Sequence, residues 1–293
     1  MEKYQFIKAA VNESRAGAAK LCRELGVSRA GYYAWDGRPE SERVKRYKRI
    51  TEKVRKVFHE NRRIPGAKKI AKMLSSDGEP VNHKMVAKIM HENGWKSKVC
   101  KKYKATTNSK HNLPVAPNIL ARDFTVTSPN QKWLSDITYI ETGEGWLYLA
   151  CVLDLHGREI AGWAMGDRIT KELVIAALRQ ARMRRSNPKG VLLHSDQGSQ
   201  YCSHDYQRLL IEHGYICSMS RKGNYWDNSP MESFWGKLKQ EHLNEFHFKT
   251  RDEAREAVFW YIEIYHRHYR LHEANGYLTP EEYSKRNDRE HVA

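Results

Sequence analysis

The chain has 293 residues, a net charge of +16, 40% hydrophobic residues and 11% aromatics. That length leaves room for two or more domains, and that apolar content argues against global disorder. The five cysteines (Cys22, Cys100, Cys151, Cys202, Cys217) show no CxxC pair and no Cys/His ligand spacing, which argues against a zinc site or a disulfide framework and fits a reducing cytoplasm. No signal peptide is expected, and no apolar run approaches the roughly 18 residues that span a bilayer, so no membrane is expected either.

The charge is unevenly placed. Residues 1–110 hold 28 Lys and Arg against 11 Asp and Glu, a net of +17, while residues 111–293 hold 23 against 24, a net of −1. A basic module joined to a near-neutral one points to a polyanion-binding part attached to a part with another task. Solvated helix faces are the plainer reading of basic stretches.

In chain order, "AAKLCRELGVSRAGYYAW" (Ala18 to Trp35) carries an apolar-periodic helix that ends at Gly26. Ser28 then caps a second helix bearing Tyr32, Tyr33 and Trp35, the outline of a helix-turn-helix within an N-terminal region of residues 1–60. A second such region is expected over residues 61–97. There Ile70, Met73 and Leu74 share a helical face, the chain breaks at Asp77-Gly78, and Asn82 caps a helix carrying Met85, Val86, Ile89 and Met90. Helical hairpins are common and most bind no DNA. Two in tandem inside the basic third favour DNA, with Lys68, Lys69, Lys84 and Lys88 as candidate contacts. Residues 98–124 are basic, rich in Ser, Thr and Asn, and broken by Pro114 and Pro117. They read as a linker with little structure of its own, in which Lys101 and Lys102 could track a phosphate backbone.

From Trp133 the periodicity changes. "KWLSDITYIE", "WLYLACVLDL" and "EIAGWAMG" read as a three-stranded meander. Then follow the helix "KELVIAALRQARM", the strand "GVLLHSD", the helix "SHDYQRLLIEHG", the strand "YICSMS" and the helix "SPMESFWGKLKQEHL". The expected fold class is α/β, a mixed five-stranded sheet with helices packed on it in a ribonuclease H-like layout, preceded by an all-α helix-turn-helix region. The catalytic core is placed at residues 125–245 and a C-terminal helical segment at 246–293.

Three acids fall where they could converge: Asp136 within the first strand, Asp196 at the end of the fourth, and Glu232 in the first turn of the helix after the fifth. Together they would repel and raise one another's pKa values unless a cation is bound, and hard oxygen ligands suit Mg²⁺ or Mn²⁺. Each has a plainer reading. "SDQG" is good turn chemistry, and Ser229-Pro230-Met231-Glu232 fits a capping box. Asp154 and Asp227 are rival acids that spacing does not exclude.

The runs "NQKWLSDITYI", "LLHSDQGSQY" and "SRKGNYWDNSPMESFWGKLKQE" resemble the acidic motifs of the integrase-core transposases of bacterial insertion sequences. The resemblance is to the second-reading-frame (OrfB-type) protein of the group whose transposase is made by frameshifting. It covers nearly the whole chain, the second helix-turn-helix and the tail segment "GYLTPEEY" included. That family's triad is Asp, Asp, Glu with 35 residues between the last two, and 35 residues separate Asp196 from Glu232 here. The resemblance also implies a basic residue seven positions after the glutamate, Lys239, about two helical turns on and so on the same face. It could meet a DNA phosphate, although an exposed helical Lys is usually just solvated. Arg221 and Lys222, in the last motif, are further candidate DNA contacts. The tail departs from the family at His266-Arg267 and at Asn275.

The resemblance implies a DDE integrase (rve) core that binds two Mg²⁺ or Mn²⁺ ions through Asp136, Asp196 and Glu232. Its reaction would be 3′-end strand cleavage and strand transfer at terminal inverted repeats, acting on target DNA. The expected partners are DNA, other copies of the chain on that DNA, and the upstream-reading-frame protein, separate or joined as a frameshift fusion. The expected setting is the bacterial cytoplasm, in association with the nucleoid. Tyr139 and Tyr201 are read as packing or DNA-contacting aromatics, and Gln200 and Asn228 as residues that orient the carboxylates or a water. A DNA-binding regulator derived from a transposase, and a nuclease without strand transfer, are the alternatives.

Overall fold

The computed structural model describes residues 2–13, 17–97 and 113–290, so that Cys100, Lys101 and Lys102 lie outside the described residues. Two compact units divide at Lys56 and Val57. In the first, α1 (Glu2–Asn12), α2 (Ala18–Glu24) and α3 (Arg29–Asp36) enclose a small core of Ile7, Ala10, Leu21, Cys22 and Tyr32. Gly26, at φ +62°, turns the chain between α2 and α3 where other side chains would be strained. Ser28 Oγ then accepts the Gly31 N–H at 3.3 Å, capping α3 as its sequence suggests. The following α4 (Glu42–Glu60) has Ile50, Val54 and Phe58 buried at a helical spacing of four. The division at Lys56 falls inside this helix, four residues before the expected boundary at 60.

The second unit opens with α5 (Ala67–Ser76) and α6 (His83–Glu92), which bury Ile70, Ala71 and Leu74 and Val86, Ile89 and Met90 respectively. Asn82 Oδ1 caps α6 by accepting the Lys84 N–H at 2.9 Å. Then comes the sheet: β1 (Lys132–Thr142), β2 (Gly145–Asp154) and β3 (Ile160–Gly166) as an antiparallel meander, followed by β4 (Leu192–Ser195) and β5 (Ile216–Met219). Its order is β3-β2-β1-β4-β5, with β4 and β5 parallel to β1. This is the mixed ribonuclease H-like sheet expected from the sequence, with the long β1 at its centre.

Strand alternation gives the sheet two apolar faces. On one, Trp133, Ala150, Val152 and Leu193 pack under α7 (Lys171–Arg184) and α8 (His204–Glu212). Gly162 makes that approach possible, because a Cβ there would stand 2.3 Å from the Ala177 carbonyl oxygen and the Ala181 nitrogen of α7. On the other face, Leu134, Ile140, Leu147 and Leu149 meet α9 (Ser229–Glu241) and the tail. The tail consists of α10 (Arg251–Phe259), a π-helical run over Trp260–Tyr269 and α11 (Pro280–Glu290). Val258, Tyr261, Ile262 and Tyr265 of the tail share a core cluster with β1 and β2.

Two segments differ from their sequence reading. Residues 113–124, placed in the linker, lie on the core. Leu113 and Ala116 pack on the first apolar face, and the Ile119 and Leu120 N–H groups donate to Ser218 Oγ at 2.9 and 3.0 Å. Prolines that read as linker punctuation instead hold this stretch extended along the sheet edge, where the Pro117 carbonyl accepts the Met219 N–H. In the tail, His266 and Asn275 grip the β2–β3 turn: His266 Nε2 contacts the Arg158 carbonyl at 2.9 Å, and Asn275 Nδ2 donates to the Gly157 carbonyl at 2.8 Å. Among the described residues no helix is long and apolar enough to cross a membrane.

Candidate active site

Asp136 lies at the middle of β1, on the face that α9 covers. The parallel register pairs Leu134 with His194, so Asp196, two residues past His194, emerges beside Asp136 at the end of β4. Parallel neighbours at the carboxyl ends of central strands place side chains in a crevice in this way. The end of β4 is held by the His194 ring, whose Nδ1 and Nε2 contact Ser218 Oγ (2.9 Å) and Ser220 Oγ (3.0 Å). Burial lowers the pKa of that ring to about 4, so it is neutral.

The third acid comes on α9. Trp235, three residues after Glu232, donates its indole N–H to Asp136 Oδ2 at 2.9 Å and so draws the Glu232 face of the helix over β1. The capping-box reading of Glu232 does not hold. The N-cap is Asn228, with no side-chain cap bond, and Ser229 already has helical angles. Asp196 does have the turn role suspected for it, accepting the Gly198 N–H at 2.9 Å on Oδ1. A carboxylate oxygen has lone pairs to spare beyond one such bond, so the turn and a ligand role are compatible.

The electrostatics separate this trio from Asp227, and backbone hydrogen bonding separates it from Asp154. Burial, then the charges of Asp196 and Glu232, push the Asp136 carboxyl well above the usual carboxylate range despite its bonds from Trp235 and Ile137. Glu232 is raised by burial and then by Asp196, with Lys239 pulling the other way. Asp227, by contrast, accepts hydrogen bonds from the Arg221 backbone and guanidinium, from Arg122 and from Asn118, and is held well below the usual range. Asp154 is raised to about 6 by burial, against the pull of Arg185 at 3.8 Å, but both its oxygens are used in capping the turns at Asn130 and His156. Both rivals are structural.

Lys239 is only 8% exposed, so the solvated-surface reading fails. Its ammonium stands 4.8 Å from the centre of the Tyr139 ring, and burial lowers its pKa to about 8 while Glu232 and Asp136 oppose that fall. Tyr201 is packing: it is fully buried, with its hydroxyl 3.1 Å from Ser135 Oγ. Asn228 Nδ2 reaches the Ser135 carbonyl, while its Oδ1 is buried without a partner. The other basic candidates lie apart. Lys68, Lys84, Lys88 and Lys222 are on the surface, Lys69 is half-buried, and Arg221 is tied to Asp227. Sequence reasoning overlooked Trp235, although its helical spacing from Glu232 was available.

Among the described residues no three His, Cys, Asp or Glu are drawn together as a ready metal cage. What is present is an all-carboxylate, hard-oxygen donor set in which Asp196 and Glu232 raise the pKa of Asp136 and Asp196 raises that of Glu232, with Lys239 the cation acting on Glu232. That chemistry fits a divalent cation of the Mg²⁺ or Mn²⁺ kind.

Comparison with known proteins shows the family. The profile described as "Integrase core domain" matches residues 126–225, a second profile with that description matches 213–280, and the "HTH-like domain" profile matches 45–103. The last span takes in most of α4 together with α5 and α6. The chain is 43% identical over 260 residues to the "Insertion element IS600 uncharacterized 31 kDa protein" of Shigella sonnei, covering 89% of this chain and 96% of that protein. It is 39% identical over 287 residues to "Transposase InsF for insertion sequence IS3A" of Escherichia coli (strain K12), covering 97% and 99%. A remote structural likeness is the HTLV-2 integrase catalytic core domain in complex with magnesium (trimeric form), at 16% identity and a TM-score of 0.42 over 53% of this chain and 97% of that one.

Proposed function

Because the chain belongs to the IS3-family insertion-sequence transposases, with an integrase core and a helix-turn-helix-like domain, we propose that Asp136, Asp196 and Glu232 are its catalytic triad. As a DNA transposase it is a polynucleotidyl transferase and binds DNA. We infer that the triad holds two Mg²⁺ or Mn²⁺ ions. The observation that supports this is the approach of three like-charged acids, of which Asp136 and Glu232 are raised by burial and by their carboxylate neighbours, while the rival Asp227 is held low by two arginines and a backbone N–H.

Bound there, the cations supply charge neutralisation for the attacking and leaving oxygens of an in-line displacement at phosphorus. The residues do the rest. Trp235 fixes the Asp136 carboxylate, and the Gly198 N–H fixes that of Asp196. Lys239 places a cation beside Glu232 for a DNA phosphate. Asn228 Oδ1 is an unused buried acceptor that can orient an attacking hydroxyl, and Gln200 lies near Asp196 across Gly198. A water oxygen, or a DNA 3′-hydroxyl oxygen, gives up its proton to solvent and forms the new P–O bond, while the old P–O bond breaks and the departing 3′-oxygen takes up a proton. Cleavage exposes a 3′-hydroxyl at the element end, and strand transfer uses it on target DNA. The basic helices, through Lys68, Lys84 and Lys88, with Lys101, Lys102, Arg221 and Lys222, are the proposed contacts to terminal inverted repeats. Holding two ends implies an assembly of several copies on DNA, in the cytoplasm with the nucleoid, with the upstream-frame protein as partner or fusion.

The test is cleavage of labelled DNA carrying an end of the parent element, with Mg²⁺, by the wild type and by Glu232→Gln. The substitution should lower cleavage at least about a thousandfold, since several kcal/mol of charge stabilisation are removed, with little change in DNA binding or Tm. Cleavage that survives in Glu232→Gln would sink the triad assignment. DNA binding without cleavage by either protein would favour a regulator or a need for the upstream partner.

A further inference from the structure

A different face of α9 carries a second unsatisfied charge cluster, of opposite sign. Ser233 and Lys237, about 100–140° around the helix from Glu232, line a cavity of about 580 Å³ together with Lys69 of α5, Arg158 of the β2–β3 turn and Arg270 of the tail. Lys69, Arg158 and Lys237 are half-buried and make no ion pair among the described residues. Arg270 differs, because its Nε and Nη2 both donate to Glu241 at 2.8 Å, and Glu241 also accepts the Tyr261 hydroxyl at 2.7 Å. Glu241 is therefore committed, and Glu273 is the remaining acid on the lining. The two histidines there, His266 and His272, are kept neutral by burial and the surrounding cations. Three cations without an ion pair among the described residues thus line a cavity in which Glu273 is the one lining carboxylate, Glu241 being paired with Arg270.

Buried charges are ordinarily paired or neutralised. Burial lowers the pKa of Lys69 to about 8 and depresses Lys237, with Arg270 adding to both falls. The wall is also built. Arg158 sits at φ +59°, a strained conformation for a non-glycine residue, and is held there by His266 on its carbonyl and by Asn275 on the neighbouring Gly157. His266 is 3% exposed, and its Nδ1 has no partner. His266 and Asn275 thus both serve to present Arg158.

We propose that this cavity is a phosphoryl-anion site, in which Lys69, Arg158 and Lys237 receive either a backbone phosphate of bound DNA or a small free polyphosphate. Its DNA form rests on the reading of the chain as a DNA transposase; its polyphosphate form does not. A phosphate oxyanion supplies the acceptors that two ammoniums and a guanidinium lack.

The test uses the full chain in EDTA, so that no result depends on the carboxylate site. Pyrophosphate should raise the Tm of the wild type and of Glu232→Gln above that in chloride of equal ionic strength. The Lys69→Gln/Lys237→Gln double variant should lose that rise. Its own Tm without pyrophosphate should not fall, because like charges have been removed. In parallel, the salt dependence of binding to a duplex oligonucleotide is measured for wild type and double variant. A slope shallower by about one for each phosphate no longer bound identifies DNA as the source of the anion. An unchanged slope with loss of the pyrophosphate effect identifies a free polyphosphate. An unchanged slope with no pyrophosphate effect in the wild type, or a pyrophosphate effect that survives the double substitution, overturns the proposal.

Discussion

The two faces of α9 carry opposite problems. Toward β1 and β4, Glu232 joins Asp136 and Asp196 in a pocket with too few cations; toward the tail and α5, Lys237 joins Lys69 and Arg158 in a cavity with too few anions. Elsewhere in the same unit charge is settled within the chain, as at Asp227 with Arg122 and Arg221, or at Glu241 with Arg270. Like charges gathered at two places beside charges paired within the chain are what the proposed sites have in common, since a ligand of opposite charge would supply what the fold does not.

That contrast can be broken first at its settled end. Asp227→Asn should cost about 2–3 kcal/mol of stability, because hydrogen bonds to charged groups contribute roughly 1.5–3 each while the exposed arginines left behind can reach water. Chemical denaturation measures it, and a neutral result would place Asp227 among the unsatisfied acids after all. Its pH dependence has a definite sign: held below its ordinary value, Asp227 stabilises the fold above the usual carboxylate range and loses that contribution as pH falls.

Asp136 should behave oppositely. Its folded-state pKa is raised, so the fold binds its proton more tightly than the unfolded chain and stability falls as pH rises through the raised value. Asp136→Asn should therefore raise Tm in EDTA at neutral pH, by a few degrees for about 1 kcal/mol. Mg²⁺ should raise the Tm of the wild type more at pH 8 than at pH 6 and leave that of Asp136→Asn nearly unmoved. Thermal melts across pH, with and without Mg²⁺, check both statements, and equal Mg²⁺ effects in the two proteins would contradict them.

A substitution at Lys239 sharpens the boundary between the faces. Lys239 follows Lys237 by two residues on α9 but lies on the acidic side, over Tyr139. Lys239→Gln should reduce cleavage about tenfold, one lost phosphate interaction being worth about 1.4 kcal/mol, and leave the pyrophosphate effect intact. Loss of that effect would mean that the two clusters are not separate.

Much of the fold was legible because strand alternation, helical periodicity and capping residues act over a few positions. The Ser28 and Asn82 caps, the meander from Trp133 and the alternation of helices and strands after it are all of that kind. What failed depended on remote partners. Pro114 and Pro117 look the same in a free linker and in a segment laid on Ser218 and Met219. Lys69 and Lys88 look equally basic, yet one faces a cavity and the other pairs on the surface with Glu92. Trp235 could have been placed by its spacing from Glu232, but its bond to Asp136 joins residues 99 positions apart.

Motif spacing and local periodicity were enough for the family, the order of the elements and the choice of candidate acids, because each of these is written within a short run of residues. Which charges are left unpaired was settled only by packing. Whether Asp136 and Asp227, or Lys237 and Arg270, meet an opposite charge depends on chain segments brought together from far apart, and pairing falls off with distance in space, whatever the separation along the chain.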